Sequence, residues 1–180
     1  MEPLVTTTID LRRYGHDDLT TIRQTLLDIH ADAYAADMSE FDERFPWFVD
    51  HWGNHPKYAC VIGYDGNEPV GFAYGAPATP GREWWREHLA TAPQRDVTFS
   101  LSELMVRPAW RKTGIAEQLH NALLADRPEN LAVLLVDPDH PKVQQLYETW
   151  GYRRVGNRQP FPDSPNFAVM LRPLPIEAAA

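Results

Sequence analysis

The sequence has a single cysteine, Cys60, among 180 residues, which excludes an internal disulfide framework and agrees with a reducing cytoplasm. Cys60 lies in the apolar run Tyr58–Ile62, where a free thiol behaves as a small buried hydrophobe rather than a nucleophile. No apolar stretch approaches the ~20 residues of a membrane helix. The opening MEPLVTTTID has neither the basic start nor the apolar run of a signal peptide. Neither GxGxxG nor GxxxxGK[ST] occurs, and no G-x-S-x-G element supplies the usual cue for an α/β-hydrolase. His51 and His55 are four apart with Asp50 adjacent, but Gly53 and Pro56 interrupt the helix such a pair needs. No metal is expected.

What is present is an ordinary globular composition, 43% hydrophobic and 23% charged, with sixteen prolines that mostly punctuate loops. The length fits one domain over 1–180, its core about 6–172 and a loose tail at 173–180. The net charge of −8 is uneven. Residues 1–56 hold eleven Asp/Glu against four Lys/Arg, a balance of −7. An acidic first third repels nucleic acid and anionic lipid and attracts cations. It reads either as a solubilising surface or as the side facing a cationic substrate.

Periodicity supplies the elements. Thr6–Leu11 reads as a strand. Leu19, Ile22, Leu26, Ile29 and Ala33 recur at helical spacing, predicting a helix over 16–36 with Asp17 or His16 as its cap. A second helix is expected over Glu40–Trp52. Strands Tyr58–Tyr64 and Pro69–Ala76 flank the hairpin signal Asp65-Gly66-Asn67. A short helix is expected over Arg82–Ala90, then a strand over Val97–Val106 that Pro108 ends. A helix over Thr113–Ala125 precedes Leu131–Val136, an apolar run of the kind buried on both faces. Val143, Leu146, Tyr147 and Trp150 mark a helix that Gly151 stops. Tyr152–Gln159 and Phe167–Leu171 close the chain as strands. The order β-α-α-β-β-(α)-β-α-β-α-β-β predicts an α+β fold with a mixed sheet of about seven strands.

The segment Leu104–Ala116 carries the most chemistry. A strand ends at Pro108, a short basic turn follows, and a helix opens at Gly114. Unpaired N–H groups and the positive dipole end of a helix suit a phosphate. Glycine allows close backbone approach, and Arg111 and Lys112 add positive charge. The residues alone read as a pyrophosphate-binding turn or as an ordinary strand-to-helix turn with solvated basic side chains.

Val106, Pro108, Arg111, Gly114 and Ala116 match the pattern Val-x-Pro-x-x-Arg-x-x-Gly-x-Gly/Ala, and Leu146-Tyr147 with Gly151-Tyr152 matches Leu-Tyr-x-x-x-Gly-Phe/Tyr. In order and spacing, over about residues 6–172, the chain resembles the GCN5-related N-acetyltransferases (GNAT). Two departures stand out: Ala116 replaces a second glycine, and His140 stands where the family often has Asn seven residues before the tyrosine.

The resemblance implies the GNAT fold and an enzyme that uses acetyl-CoA to acetylate a primary amine directly, without an acyl-enzyme. It assigns the pyrophosphate to the backbone of Arg111, Lys112, Thr113, Gly114, Ile115 and Ala116. The pantetheine arm would pair with Leu104, Met105 and Val106. His140 would cap the following helix or line the cofactor cleft. Tyr147 would protonate the departing thiolate as general acid; its other reading is core packing. Glu103 is the candidate base, directly or through water, because an alkylamine is mostly charged at neutral pH. Ser100 and Ser102 alternate with it along the strand.

For the acceptor end the resemblance points to acid mixed with aromatics: Asp37, Glu40, Asp42 and Glu43, with Phe41, Phe45 and Trp47. Trp84, Trp85, Phe161 and Asp163 join them. Such a set favours a cationic small-molecule amine, a metabolite or aminoglycoside-like antibiotic, through charge pairing and cation–π contact. Acetylation of a protein or peptide, or non-catalytic acyl-CoA binding, are the competing readings. No nucleic acid or membrane partner is expected. Family members are often homodimers, but no residue pattern here proves one.

Overall fold

The computed structural model describes residues 8–176. Among these, seven strands form one mixed sheet: β1 (Asp10–Gly15), β2 (Ala59–Asp65), β3 (Glu68–Pro77), β4 (Thr98–Val106), β5 (Leu131–Val136), β6 (Arg153–Arg158) and β7 (Phe167–Pro173). Their order is β1-β2-β3-β4-β5-β7-β6. Four α-helices accompany them: α1 (Leu19–Ala33), α2 (Phe45–Gly53), α3 (Ile115–Leu124) and α4 (Pro141–Thr149). The α+β architecture expected from the sequence is the one observed. The strand expected at Thr6 begins at Asp10 instead, and Thr6 itself lies outside the described residues, as do tail residues 177–180. No helix among the described residues is long and apolar enough to cross a membrane.

Contacts divide the chain into two units, residues 1–74 with 103–123 and residues 75–102 with 124–180. In the first, β1 pairs antiparallel with β2 from Asp10↔Tyr64 to Gly15↔Ala59. Ile22, Leu26 and Ile29 of α1 recur every three or four residues and pack with Phe45 and Val49 of α2. They cover one face of the strands, presented by Cys60, Ile62, Phe72, Tyr74 and Met105. Leu26 and Ile29 are fully inaccessible, and each such side chain contributes ~1.5–3 kcal/mol. On the opposite face Leu119 of α3 sits over Gly63 and Gly71, which leave room for it.

The start of α1 differs from expectation. His16–Asp18 form one turn of 3₁₀ helix, and Asp18, rather than Asp17 or His16, accepts the Gly15 N–H at 2.8 Å. The second helix likewise opens as a 3₁₀ turn, Asp42–Arg44, before Phe45 and Pro46 start α2 proper.

In the second unit β4 and β5 pair in parallel over Thr98–Ser100 with Leu131–Val133, while β7 pairs antiparallel with β5 and β6. Leu131, Val133, Val169 and Leu171 pack on Trp85. The helix expected over Arg82–Ala90 is only the 3₁₀ turn Arg86–His88. Side-chain bonds outcompete the helix there. Arg86 is clamped by Glu83 and by Asp96 at 3.0 Å, and the Trp85 indole donates to Thr98 Oγ1 at 2.9 Å. These tie the segment to distant residues that a continuous helix would pull away from. α4 ends at Gly151, whose φ of +96° suits a glycine stop.

Candidate active site

β4 carries the chain from Glu103 into the turn that opens α3. Beyond Val106, Pro108–Trp110 make a 3₁₀ turn. Lys112 and Gly114 then take left-handed conformations, φ +62° and +84°. The first helical bond recorded there runs from Gln118 N–H to Gly114 O at 3.2 Å, so the N–H groups at 112–116 belong to the helix start, where intrahelical partners run out. A Cβ at Gly114 would meet no protein atom within 4 Å. These features fit the pyrophosphate of a coenzyme A.

The arginines of this turn also make bonds that the sequence did not indicate. Arg111 donates to the carbonyl oxygens of Val106, at 3.3 Å, and Ala33, at 3.0 Å. Arg107 donates to Pro69 O at 2.8 Å and reaches Asp32 at 3.3 Å. The Trp110 indole donates to Asp65 at 3.0 Å. Both guanidinium groups thus fix the turn against the end of α1 and the hairpin. Lys112 remains exposed, as does Thr113, whose hydroxyl donates to Trp110 O. Ile115 is buried and anchors α3, with Ala116 half-buried behind it.

Glu103 is half-buried, two residues before Met105, which packs in the α1–α2 core. Burial pushes its carboxyl up to about 8, and the Asp42 carboxylate adds to the rise. Asp42 is itself pinned, accepting Ser39 N–H at 3.0 Å and the Ser39 hydroxyl at 2.8 Å. Of the acidic residues singled out in the sequence, Asp42 bears on Glu103, whereas Asp37, Glu40 and Glu43 are exposed. His30 stacks between Tyr34 and Phe45, with centroids 4.6 and 4.0 Å away. Burial lowers its pKa against an opposing pull from Asp42.

Tyr147 is buried on α4, edge-on to Trp150 and Tyr152 at 5.2 and 5.6 Å. His140 occupies the cap position of α4 without capping it by its side chain, which is 69% exposed and 4.0 Å from Asp137. The capping role expected for it is therefore not seen. Leu104 is half-buried while Met105 and Val106 are buried. Ser100 is buried and Ser102 half-buried.

The aromatic acceptor candidates divide. Trp47 is 50% exposed and stacks on His51 at 4.9 Å. Phe41 and Phe161 are half-buried and Asp163 is exposed. Trp85 is wholly inaccessible, so it serves the core rather than a ligand, with Trp84 packed beside it. His55 spends its Nδ1 accepting the Lys57 N–H at 3.0 Å, and Asp50 is bound by Arg23 at 2.8 and 3.0 Å. A pocket of about 350 Å³ in the second unit is lined by Arg82, Arg86 and Arg158 against Glu83 and Glu87. None of the residues assigned to acetyl transfer lines it.

Sequence reasoning missed two residues of this region, Tyr58 and Tyr74. Both are buried, with ring centroids 5.4 Å apart, and the hydroxyl of each has no hydrogen-bond partner in the protein. Strand alternation places Tyr74 beside Phe72 on the core face. Nothing in the sequence marks its hydroxyl as unpaired.

The model of the acetyltransferase (GNAT) family matches residues 23–152. A GCN5-like protein acetyltransferase of Mycobacterium tuberculosis is 31% identical over 128 residues, 61% of this chain and 61% of that protein's own length. Among solved structures, Arabidopsis thaliana NAA60 bound to a bisubstrate analogue superposes with a TM-score of 0.62 at 18% identity, covering 93% of this chain and 97% of that one. The PaiA N-acetyltransferase of Thermoplasma acidophilum, in complex with coenzyme A, gives 0.58 at 12% identity, covering 93% and 99%. These two likenesses are of fold.

Proposed function

The chain belongs to the GNAT acetyltransferase family, and from that premise we propose that it transfers acetyl from acetyl-CoA to a primary amine of a cationic small molecule. The observation that carries the acceptor class is the setting of Glu103, a half-buried carboxyl with the pinned Asp42 carboxylate bearing on it. A cationic amine entering there is attracted by the Asp42 carboxylate and meets a carboxyl that ionises near pH 8.

The cosubstrate supplies a thioester whose carbonyl carbon the amine attacks. The N–H groups of Arg111–Ala116 would hold its pyrophosphate, and the Leu104–Val106 backbone would align its pantetheine arm. Glu103 in its ionised form, which gains population as pH approaches about 8, accepts the proton of the ammonium and restores the nitrogen lone pair. Tyr147 donates a proton to the departing thiolate. Arg107 and Arg111 keep the phosphate turn in shape through the carbonyls they bind. A reducing cytoplasm suits a chain whose one thiol is buried and whose reaction needs no nucleophilic cysteine.

Acetylation of a protein is the second reading. It is favoured by the name of the mycobacterial relative, a protein acetyltransferase, of whose length the match spans 61%. Thiol release from acetyl-CoA across a panel of polyamines, aminoglycosides and lysine peptides separates the two. Turnover of small cations in preference to every peptide is the expected result. Turnover of peptides alone would replace it with the second reading. Calorimetric titration with acetyl-CoA checks the premise, and an absence of binding would remove it.

A further inference from the structure

Tyr74 and Tyr58 lie in the core cluster that α1 and α2 join, their ring centroids 5.4 Å apart, and Glu103 acts on Tyr74 from β4. Alternation along β4 puts Glu103 on the same face as Met105, and along β3 puts Tyr74 on the same face as Phe72. Met105, Phe72, Tyr74, Cys60 and Tyr58 belong to one core cluster. Tyr74 is wholly inaccessible and Tyr58 is 3% exposed, yet neither hydroxyl finds a partner in the protein. The Cys60 thiol adjoins the Tyr58 hydroxyl and interacts with it there, a weak partner for a phenol.

A buried phenol without a partner is costly, and the same core accepts phenylalanine at Phe72 and Phe45. Packing alone therefore gives no reason for the two hydroxyls. They point to a polar task, and of the ionisable groups bearing on Tyr74 Glu103 acts most strongly, with Tyr58 next.

We propose that Tyr74 and Tyr58 form with Glu103 a buried three-oxygen site that holds water and passes the acceptor's proton to the Glu103 carboxylate. The two tyrosines are thus positioning residues for the base. The inference rests on the amine-acetylation reading and deepens it. Three oxygens meet the two to four partners a buried water requires. The ammonium gives its proton to the bridging water while that water gives one to Glu103. The neutral amine is left to attack, and nothing is oxidised or reduced. Burial holds both phenols far above their ordinary range and the Cys60 thiol up at about 12, so all three stay neutral and the phenols donate hydrogen bonds. The other groups bearing on this site are Asp42, from the 3₁₀ turn before α2, and His30 of α1, which faces Asp42.

The test uses Tyr74→Phe, Tyr58→Phe and Glu103→Gln in the full chain. Carboxyl-labelled glutamate followed by carbon NMR gives the Glu103 midpoint without any substrate, the resonance being assigned by its loss in Glu103→Gln. Loss of a hydrogen bond to the charged form should move that midpoint upward by about one pH unit in Tyr74→Phe. With an accepted amine, kcat should fall about tenfold at unchanged KM, and Tyr74→Phe should add nothing in the Glu103→Gln background. A midpoint and kcat unmoved in both Phe variants, with near-UV circular dichroism intact, would overturn the relay while leaving the acetylation reading standing. If the wild type acetylates no amine and the midpoint still moves, the coupled site is upheld and the acetylation reading is what fails.

Discussion

Glu103 makes its own contribution to the pH behaviour of the molecule. Its carboxyl titrates near pH 8 in the folded chain, raised first by burial and then by Asp42, whereas an unfolded glutamate titrates near ~4.3. Between these values the folded state holds a proton that the unfolded state has released. Stability is therefore lost as pH rises from about 4.5 to 8 and is flat above that. A neutral isostere escapes the loss. Glu103→Gln should leave the urea midpoint unchanged at pH 4 and raise stability at pH 9 by on the order of 2 kcal/mol. Activity should move the other way, with kcat/KM down roughly 10²-fold and the rise with pH near 8 abolished. A wild-type rate that is flat from pH 6 to 9 would show that Glu103 is not the base.

At the scale of elements, two glycines do different work. Gly114 holds φ +84° with open space where a side chain would be, so its replacement costs backbone strain and fills the phosphate turn. Gly114→Val should lower acetyl-CoA affinity at least tenfold by calorimetry, with a stability loss of ~1–2 kcal/mol. Gly75 on β3 is different, because a Cβ there would overlap the Ser100 carbonyl oxygen of β4. Gly75→Ala should destabilise by about 1–3 kcal/mol in urea unfolding. An unchanged midpoint would mean that the two strands have slack.

These elements also show what could be read from the residues. Leu131–Val136 was legible as a buried strand because six apolar residues in a row suit a strand covered on both faces and are too few for a helix, and β5 has those bounds. The strand-to-helix turn at 108–115 was legible because a proline, a glycine and a helical repeat fall in succession. The Arg82–Ala90 segment was misread because its helix competes with the Arg86 clamp and the Trp85–Thr98 bond. Those bonds depend on the tertiary position of Asp96 and Thr98, which no local pattern reveals. The same applies to the site. Glu103 could be picked from its place on the strand, but its pairing with Asp42 and the two unpartnered phenols depends on α1 and α2 lying over the strands. Arg111 could be read as positive charge beside the turn, but not its bonds to the Val106 and Ala33 carbonyl oxygens, which depend on where α1 ends.

At the scale of the whole molecule, charge separates the two substrates. The chain carries a net −8, nearly all of it in the first third, which also supplies Asp42. Acetyl-CoA is an anion that would bind against this field, with the proposed helix start and the exposed Lys112 as counterweight. A cationic acceptor is drawn by the same field. Screening acts over ~8 Å at physiological ionic strength, so added salt should weaken attraction and repulsion alike. Raising ionic strength from about 0.02 to 0.3 M should therefore lower kcat/KM for a polycationic amine several-fold while leaving or improving the KM for acetyl-CoA. Steady-state kinetics with each substrate varied in turn would measure both. Opposite salt responses of the two substrates would fix the acidic third as the acceptor side. An amine kcat/KM indifferent to salt would make that charge a solubilising surface, and the choice of acceptor would then rest on shape and on Glu103 alone.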